Sequence, residues 1–162
     1  MEAKPASASY SELSELALPN DANSLGTLLG GKIMHLVDIA GALAAARHCR
    51  QFVVTAAFDH MDFVAPVFMN ELVVLRASVN RAFHTSMEVG VKVFAENLGS
   101  GEIRHVASAY LTFVAVGKNR KPTAVPQLLA ETEDEKRRYQ QAGERRAYRL
   151  TQLRRGKPHK MH

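Results

Sequence analysis

Between Ile33 and Ala46 the chain is apolar at every position except His35 and Asp38. From Lys32 to Arg47 it has no proline, one glycine and many Ala and Leu, with basic residues at its end that complement the dipole of a helix. This spacing predicts a helix over 32–47. A helix that is apolar nearly all round must be covered nearly all round, which restricts the architectures open to the rest of the chain.

After Arg50 the period of apolar residues changes to two. Met87, Val89, Val91, Val93 and Ala95 alternate with Ser86, Glu88, Gly90, Lys92 and Phe94, as a half-buried strand requires. Strand character also marks 52–63, 71–81 and 103–116. Asn97-Leu98-Gly99-Ser100-Gly101 supplies a glycine-rich turn, so the runs on either side of it form an antiparallel hairpin. Residues Ser7 to Leu18 alternate loosely and read as a first strand. Pro19 to Thr27, dense in Asn, Asp, Gly and Pro, reads as a loop closed by Gly30-Gly31. The order is strand, helix, four strands. Its economical packing is α+β, a curved antiparallel sheet wrapped around one long central helix.

With 162 residues, 46% of them hydrophobic and 23% charged, the chain matches one globular domain. The apolar stretch is shorter than the roughly 20 residues a membrane span needs, and two polar groups interrupt it, so no membrane association is expected. Polar sequence follows Met1-Glu2-Ala3-Lys4-Pro5 where a signal peptide would be apolar, and the lone Cys49 has no internal disulfide partner. A cytoplasmic protein is expected, with Cys49 as a surface thiol and not a nucleophile. The net charge of +5 lies entirely in residues 131–162, because residues 1–130 hold 11 basic and 11 acidic side chains. Two regions follow: a folded domain over 1–130 and a basic tail over 131–162. The tail is helix-prone to Leu153, disordered from Arg154 and dispensable for folding. It lacks interleaved aromatics or a reading motif, so no nucleic-acid partner is expected. Seven scattered histidines show no paired metal-ligand spacing; only His159 and His162 lie close together, and no metal or other cofactor is expected.

Asp38 is the residue that chemistry has to explain. Attraction to the helix N-terminus fades after the first turn, and Asp38 lies seven residues beyond Gly31. Within the helix only His35 is placed to pair with it. Burial without a partner raises a carboxylate pKa toward the range useful for base or nucleophile work. A structural aspartate satisfied by backbone or a neighbouring chain is the plainer alternative. Gly30-Gly31 leaves backbone N–H groups without intrahelical acceptors where a ligand can come close, which suits a carbonyl oxygen that becomes negative. An ordinary glycine-rich helix entry looks the same. Gly31, Met34 or His35, Asp38 and Ala42 share one stripe of the helix, so the amides and the carboxylate can face one cleft. Asn23 suits orienting a water or holding a substrate group, and equally an Asx turn that supports its loop.

Taken together, Pro19-x-Asp21-x-Asn23-x-x-Gly26-x-x-x-Gly30-Gly31-x-x-Met34-x-x-x-Asp38 resembles the signature of the hotdog-fold acyl-CoA thioesterases, in particular the acyl-CoA hydrolase group that includes the cytosolic long-chain enzymes. The resemblance continues through Val54-Thr55, Met61-x-Phe63-x-x-Pro66, Ser86 to Asn97 and Thr112 to Val116, and covers about residues 10–127. It implies hydrolysis of fatty acyl-CoA to free acid and coenzyme A. It also implies a homodimer with sheets joined edge to edge, often assembled as a hexameric trimer of dimers, with the active site at the dimer interface.

By position, Asp38 matches the family's catalytic aspartate and Asn23 its active-site asparagine, from opposite subunits. The Gly31 amide would polarise the thioester carbonyl beside Gly30, and Thr55 would lie near the same cleft. Asp38 acts either as general base or as nucleophile. The phosphates of coenzyme A call for donors at the cleft mouth, with Arg81, Lys118, Arg120 and Lys121 as cations and Thr85 and Ser86 as hydroxyls. Leu29 and Ile39 depart from the family's common residues and bear on acyl-chain preference. Two rivals stand beside this reading. A hydroxyacyl dehydratase would need a catalytic histidine, and His35 and His60 lack its local pattern. A non-catalytic acyl-CoA-binding or regulatory module would bind without turnover.

Overall fold

The computed structural model describes residues 1–156. In chain order its elements are β1 (Lys4–Pro5), β2 (Ser11–Leu16), α1 (Gly30–Cys49), β3 (Phe52–Phe63), β4 (Leu72–Ala82), β5 (Ser86–Glu96), β6 (Ile103–Val116), β7 (Leu128–Leu129) and α2 (Glu133–Arg155), with single 3₁₀ turns at Ala6–Ser9 and Pro19–Asp21. The main sheet is antiparallel throughout, in the order β2-β4-β5-β6-β3. β1 and β7 form a separate two-residue parallel pair that ties the first residues to the stretch after β6.

The period-two residues of β4, β5 and β6 divide the sheet into two faces. Leu75, Ala77, Val89, Val91, Val93, Ala109, Leu111 and Phe113 are all buried, and α1 packs on the face they form. Contact is closest at Gly41, where an added Cβ would lie 2.9 Å from the Phe113 ring. That glycine lets the helix settle directly onto the sheet. On its other side α1 stays open: Met34, Ile39 and Leu43 are 40%, 38% and 44% exposed. The single chain therefore does not cover the helix all round as its composition suggested. The sheet supplies one face of cover and leaves an apolar stripe unpartnered.

Ser7 to Leu18 is not one strand. The Ser9 hydroxyl donates to the Ala6 carbonyl at 2.7 Å and accepts from the Val79 amide at 2.9 Å, so a serine read as a strand residue instead closes a turn and plugs into β4. Cys49 is buried, not a surface thiol, at the last turn of α1, where its neighbour His48 meets the Pro126 carbonyl beyond β6; burial pushes its thiol pKa up.

The basic segment is a helix docked on the outer face of the sheet. A capping box starts α2: the Thr132 hydroxyl accepts from the Glu135 amide, and the Glu135 carboxylate takes the Thr132 amide. Arg145 then reaches Glu88 with two hydrogen bonds, at 2.7 and 3.0 Å, and lies over the Tyr110 ring 3.7 Å from its centroid. Ala142 is fully buried beneath it. Composition read this helix as a solvated face because its partners, carboxylates on strand positions, lie far away in sequence. The helix runs to Arg155, past the expected onset of disorder at Arg154; residues 157–162, with His159 and His162, lie outside the described residues.

Candidate active site

The partner of Asp38 is Thr55, not His35. Thr55 Oγ1 donates to Asp38 Oδ1 at 2.6 Å, joining the third turn of α1 to β3. Register explains the meeting. Thr55 pairs with Phe113, and the Phe113 ring lies under Gly41 three residues along α1 from Asp38. The close approach at Gly41 therefore brings the aspartate within reach of the threonine. Asp38 is half-buried in the single chain, on the stripe that Met34 and His35 leave open. It is not the isolated buried acid that the helix composition implied.

At the start of α1, Leu29 caps with its backbone alone, and its carbonyl takes the amides of Lys32 and Ile33. Gly30 and Gly31 are exposed, and open space surrounds the position of a Gly31 Cβ. Ahead of Lys32 and Ile33, the Gly30 and Gly31 amides have no acceptor among the described residues, so they are free to take an external oxygen. The helical rise sets Gly31 and Asp38 about 10 Å apart along the axis, too far for both to act on one carbonyl from a single chain. Within one chain they share a stripe without meeting at one reacting centre.

Asn23 serves its own loop in the single chain. Its Oδ1 accepts from the amides of Leu25 at 2.9 Å and Thr27 at 3.1 Å, and its Nδ2 donates to the Thr27 hydroxyl at 2.8 Å. Gly26, at φ +77°, completes the turn in a conformation that side chains resist. The asparagine thus holds the loop that delivers the chain to Gly30.

The six proposed phosphate ligands separate into two groups. Lys118, Arg120 and Lys121 are exposed on the tight turn after β6, with Arg120 at φ 60° and the Lys121 amide on the Asn119 side chain. Arg81 and Ser86 are held on the outer face by α2. The Arg81 guanidinium lies 4.2 Å from the Tyr139 ring centroid, and Ser86 Oγ accepts from Arg146 at 3.1 Å. Burial, with Arg149 and Arg81 nearby, lowers the pKa of Arg146. Thr85 is half-buried and its carbonyl takes the Ala115 amide. Sequence reasoning had no signal for this engagement, since the partners lie some 60 residues downstream.

Asp59 was also missed. It is 12% exposed, accepts from the Thr112 hydroxyl at 2.5 Å and faces Arg149. The strand pattern over 52–63 gave no reason to single it out.

Residues 25–102 match the family model described as Thioesterase superfamily. An acyl-CoA thioester hydrolase of Bacillus subtilis, itself uncharacterized, is 44% identical over 117 residues, which make up 72% of this chain and 68% of that one. A crystal structure of an apo hexameric acyl-CoA thioesterase superimposes with a TM-score of 0.91 at 37% identity, covering 94% of this chain and 98% of the other. An acyl-CoA hydrolase from Staphylococcus aureus, solved in complex with butyryl coenzyme A, coenzyme A and coenzyme A disulfide, gives a TM-score of 0.86 at 32% identity, with 93% and 92% covered. Solved variants of that hydrolase replace an asparagine, an aspartate and a threonine by alanine, spaced 15 and 17 residues apart. The same intervals separate Asn23, Asp38 and Thr55. By sequence and by fold, the chain belongs to the thioesterase superfamily and has its hotdog architecture.

Proposed function

We propose that this protein is an acyl-CoA thioesterase that hydrolyses the thioester of fatty acyl-CoA to the free acid and coenzyme A. The observation that carries this reading is the Asp38 carboxylate, fixed by Thr55 on the open, largely apolar stripe of α1. Relatives named acyl-CoA thioester hydrolases, and the repeated spacing of Asn, Asp and Thr in one of them, support it.

The working site takes groups from two copies of the chain. About 10 Å of helix separates Gly31 from Asp38, so the amide that polarises the carbonyl and the carboxylate that drives attack come from opposite subunits. The exposed apolar side chains of α1 and the free edge of β3, where Phe52 and Val54 are 77% and 50% exposed, suit cover by that second copy. A homodimer, assembled further into a hexamer, is part of the proposal, and hexameric relatives support it. A cytoplasmic setting belongs to the same proposal and suits the buried, unpaired Cys49.

Two routes use the same groups. As general base, Asp38 takes a proton from a water held by Asn23 as the water oxygen attacks the carbonyl carbon, and the tetrahedral intermediate collapses with cleavage of the C–S bond to release the coenzyme A thiolate. As nucleophile, a carboxylate oxygen attacks that carbon, the C–S bond breaks to release the coenzyme A thiolate, and water then opens the mixed anhydride. In both, negative charge builds on the carbonyl oxygen against the Gly31 amide, an interaction of about 3 kcal/mol in the transition state.

The test is thiol release from acetyl- to palmitoyl-CoA by the wild type and by Asp38→Asn. Turnover by the wild type with a loss of at least a hundredfold in the variant is expected. Binding without turnover by the wild type would favour the non-catalytic module, and full activity of the variant would remove Asp38 from the mechanism. Label in the Asp38 side chain after a single turnover in ¹⁸O water establishes the anhydride route with water attacking the aspartyl carbon, whereas label in the product acid alone fits the general-base route or attack at the acyl carbon.

A further inference from the structure

In a regular strand Thr55 and Asp59, four residues apart, would point to the same face. In β3 they point to opposite faces: Thr55 reaches Asp38 on the helix side, while Asp59 reaches Thr112 and Arg149 on the outer side. The register accounts for this. Pairing with β6 slips between Thr55 and Ala57 and again between Phe58 and His60, so Ala56 and Asp59 are bulged residues with no partner of their own. The first bulge inverts the alternation, and the second begins at the aspartate.

Within the chain this stretch is paired on one side only, by β6. β3 is an edge strand of the chain, and Val54, Thr55 and Ala56 are exposed. Asp59 is the exception, with one carboxylate oxygen on the Thr112 hydroxyl and the other buried, 3.6 Å from Arg149 Nε and without a hydrogen bond among the described residues. Thr112 is itself adjacent to Phe113, the residue opposite Thr55.

We infer that Asp59 is a positioning residue of the active site: anchored by Thr112 and α2, it fixes the double bulge of β3 and so sets the Thr55 hydroxyl against Asp38. The inference rests on the thioesterase reading for its kinetic consequence, but its geometric consequence does not. A misplacement of about 1 Å in a supporting group can cost a hundredfold in rate. The effect belongs in kcat, because Asp59 lies on the face of the sheet away from the substrate side.

The experiment is a double-mutant cycle of Asp59→Ala with Thr55→Ala, read by kcat and KM for acyl-CoA. Asp59→Ala alone is expected to lower kcat at least tenfold with KM within twofold. In the Thr55→Ala background it should lower kcat by less than twofold. Asp59→Asn, which still accepts from Thr112, should stay within threefold of wild type. Equal losses in both backgrounds, or no loss in either, would overturn the proposal and leave Asp59 with a purely structural role. If Asp59→Ala does not fold, Thr112→Val takes its place in the cycle under the same criteria. A second readout is the threonine methyl ¹³C–¹H resonance of Thr55, assigned with Thr55→Ala. It should shift on Asp59→Ala or Thr112→Val, and an unmoved resonance overturns the inference whether or not the protein hydrolyses acyl-CoA.

Discussion

Thr55 donates its hydroxyl to Asp38 across 2.6 Å, and this bond is the link between the edge strand and the central helix at the candidate site. A hydrogen bond to a charged acceptor contributes about 1.5–3 kcal/mol, so its loss should be visible in rate. Thr55→Val keeps the branched shape and removes the donor. We expect kcat for acyl-CoA to fall by about 10- to 100-fold while the melting temperature moves by no more than a few degrees. Unaltered kcat would mean that the bond is incidental to turnover.

Gly41 provides the close approach that makes this bond possible. A methyl group there would meet the Phe113 ring at 2.9 Å, with Val91 at 3.7 Å behind it. Both neighbours are buried, so neither has room to retreat. Although alanine is the better helix former, overpacking of this kind costs about 1–3 kcal/mol and outweighs that gain. Gly41→Ala should lower the urea midpoint and, by lifting α1 from β3, also lower kcat. A stabilised variant would show that the helix rides higher on the sheet than this contact requires.

The strand pattern and the apolar helix were legible because both are local periodicities: β3 and β6 begin and end where alternation does, and α1 extends the apolar run by a turn. Asn23, Gly31 and Asp38 stand out by residue type in a conspicuous spacing. What sequence did not carry is contact at a distance. His35 was the nearest partner for Asp38 within the helix, whereas Thr55 reaches it only because Gly41 seats the helix on Phe113. The bulges that turn Asp59 outward interrupt no hydrophobic pattern that a reader could see. The basic residues of α2 looked like solvated charge because Glu88 and Asp59 lie over 50 residues earlier in the chain.

The docking of α2 makes its own prediction. Glu88 is 4% exposed and holds Arg145 at two atoms, with Asn80 donating to the same carboxylate at 3.0 Å. Removing one partner of a buried pair strands the other, typically at about 3–5 kcal/mol. Glu88→Ala should therefore destabilise by about 3 kcal/mol in urea titration. If the loss is below 1 kcal/mol, the helix is held by Ala142 and Tyr139 and not by its arginines.

His48 sets an acid limit. Its ring is fully buried, Nε2 donates to the Pro126 carbonyl at 2.8 Å, and Nδ1 has no hydrogen-bond partner among the described residues. Burial holds its pKa below the ordinary histidine value near 6.5, so the folded protein keeps it neutral. With the folded pKa depressed, the unfolded chain binds the extra proton first as pH falls. The stability contributed by neutral His48 is thus complete above about 6.5 and is lost on descent through the depressed value. His48→Gln retains a donor for Pro126 but cannot titrate. Its urea midpoint should fall less between pH 7 and pH 5 than that of the wild type, and parallel curves would place the acid sensitivity elsewhere.

The exposed turn after β6 is where substrate charge is expected to be felt. Lys118, Arg120 and Lys121 are concentrated within four residues and project from a turn fixed by the Asn119 side chain, with no carboxylate paired to any of them among the described residues. If they grip only the phosphates of coenzyme A, they bind the substrate and the transition state equally, and such uniform binding appears in KM alone. Arg120→Glu with Lys121→Glu should raise KM for acyl-CoA about tenfold at low salt and leave kcat within twofold. The effect should shrink as ionic strength rises, because exposed charges are screened over about 8–10 Å near physiological salt. A fall in kcat without a change in KM would mean that the turn touches the reacting end of the substrate instead.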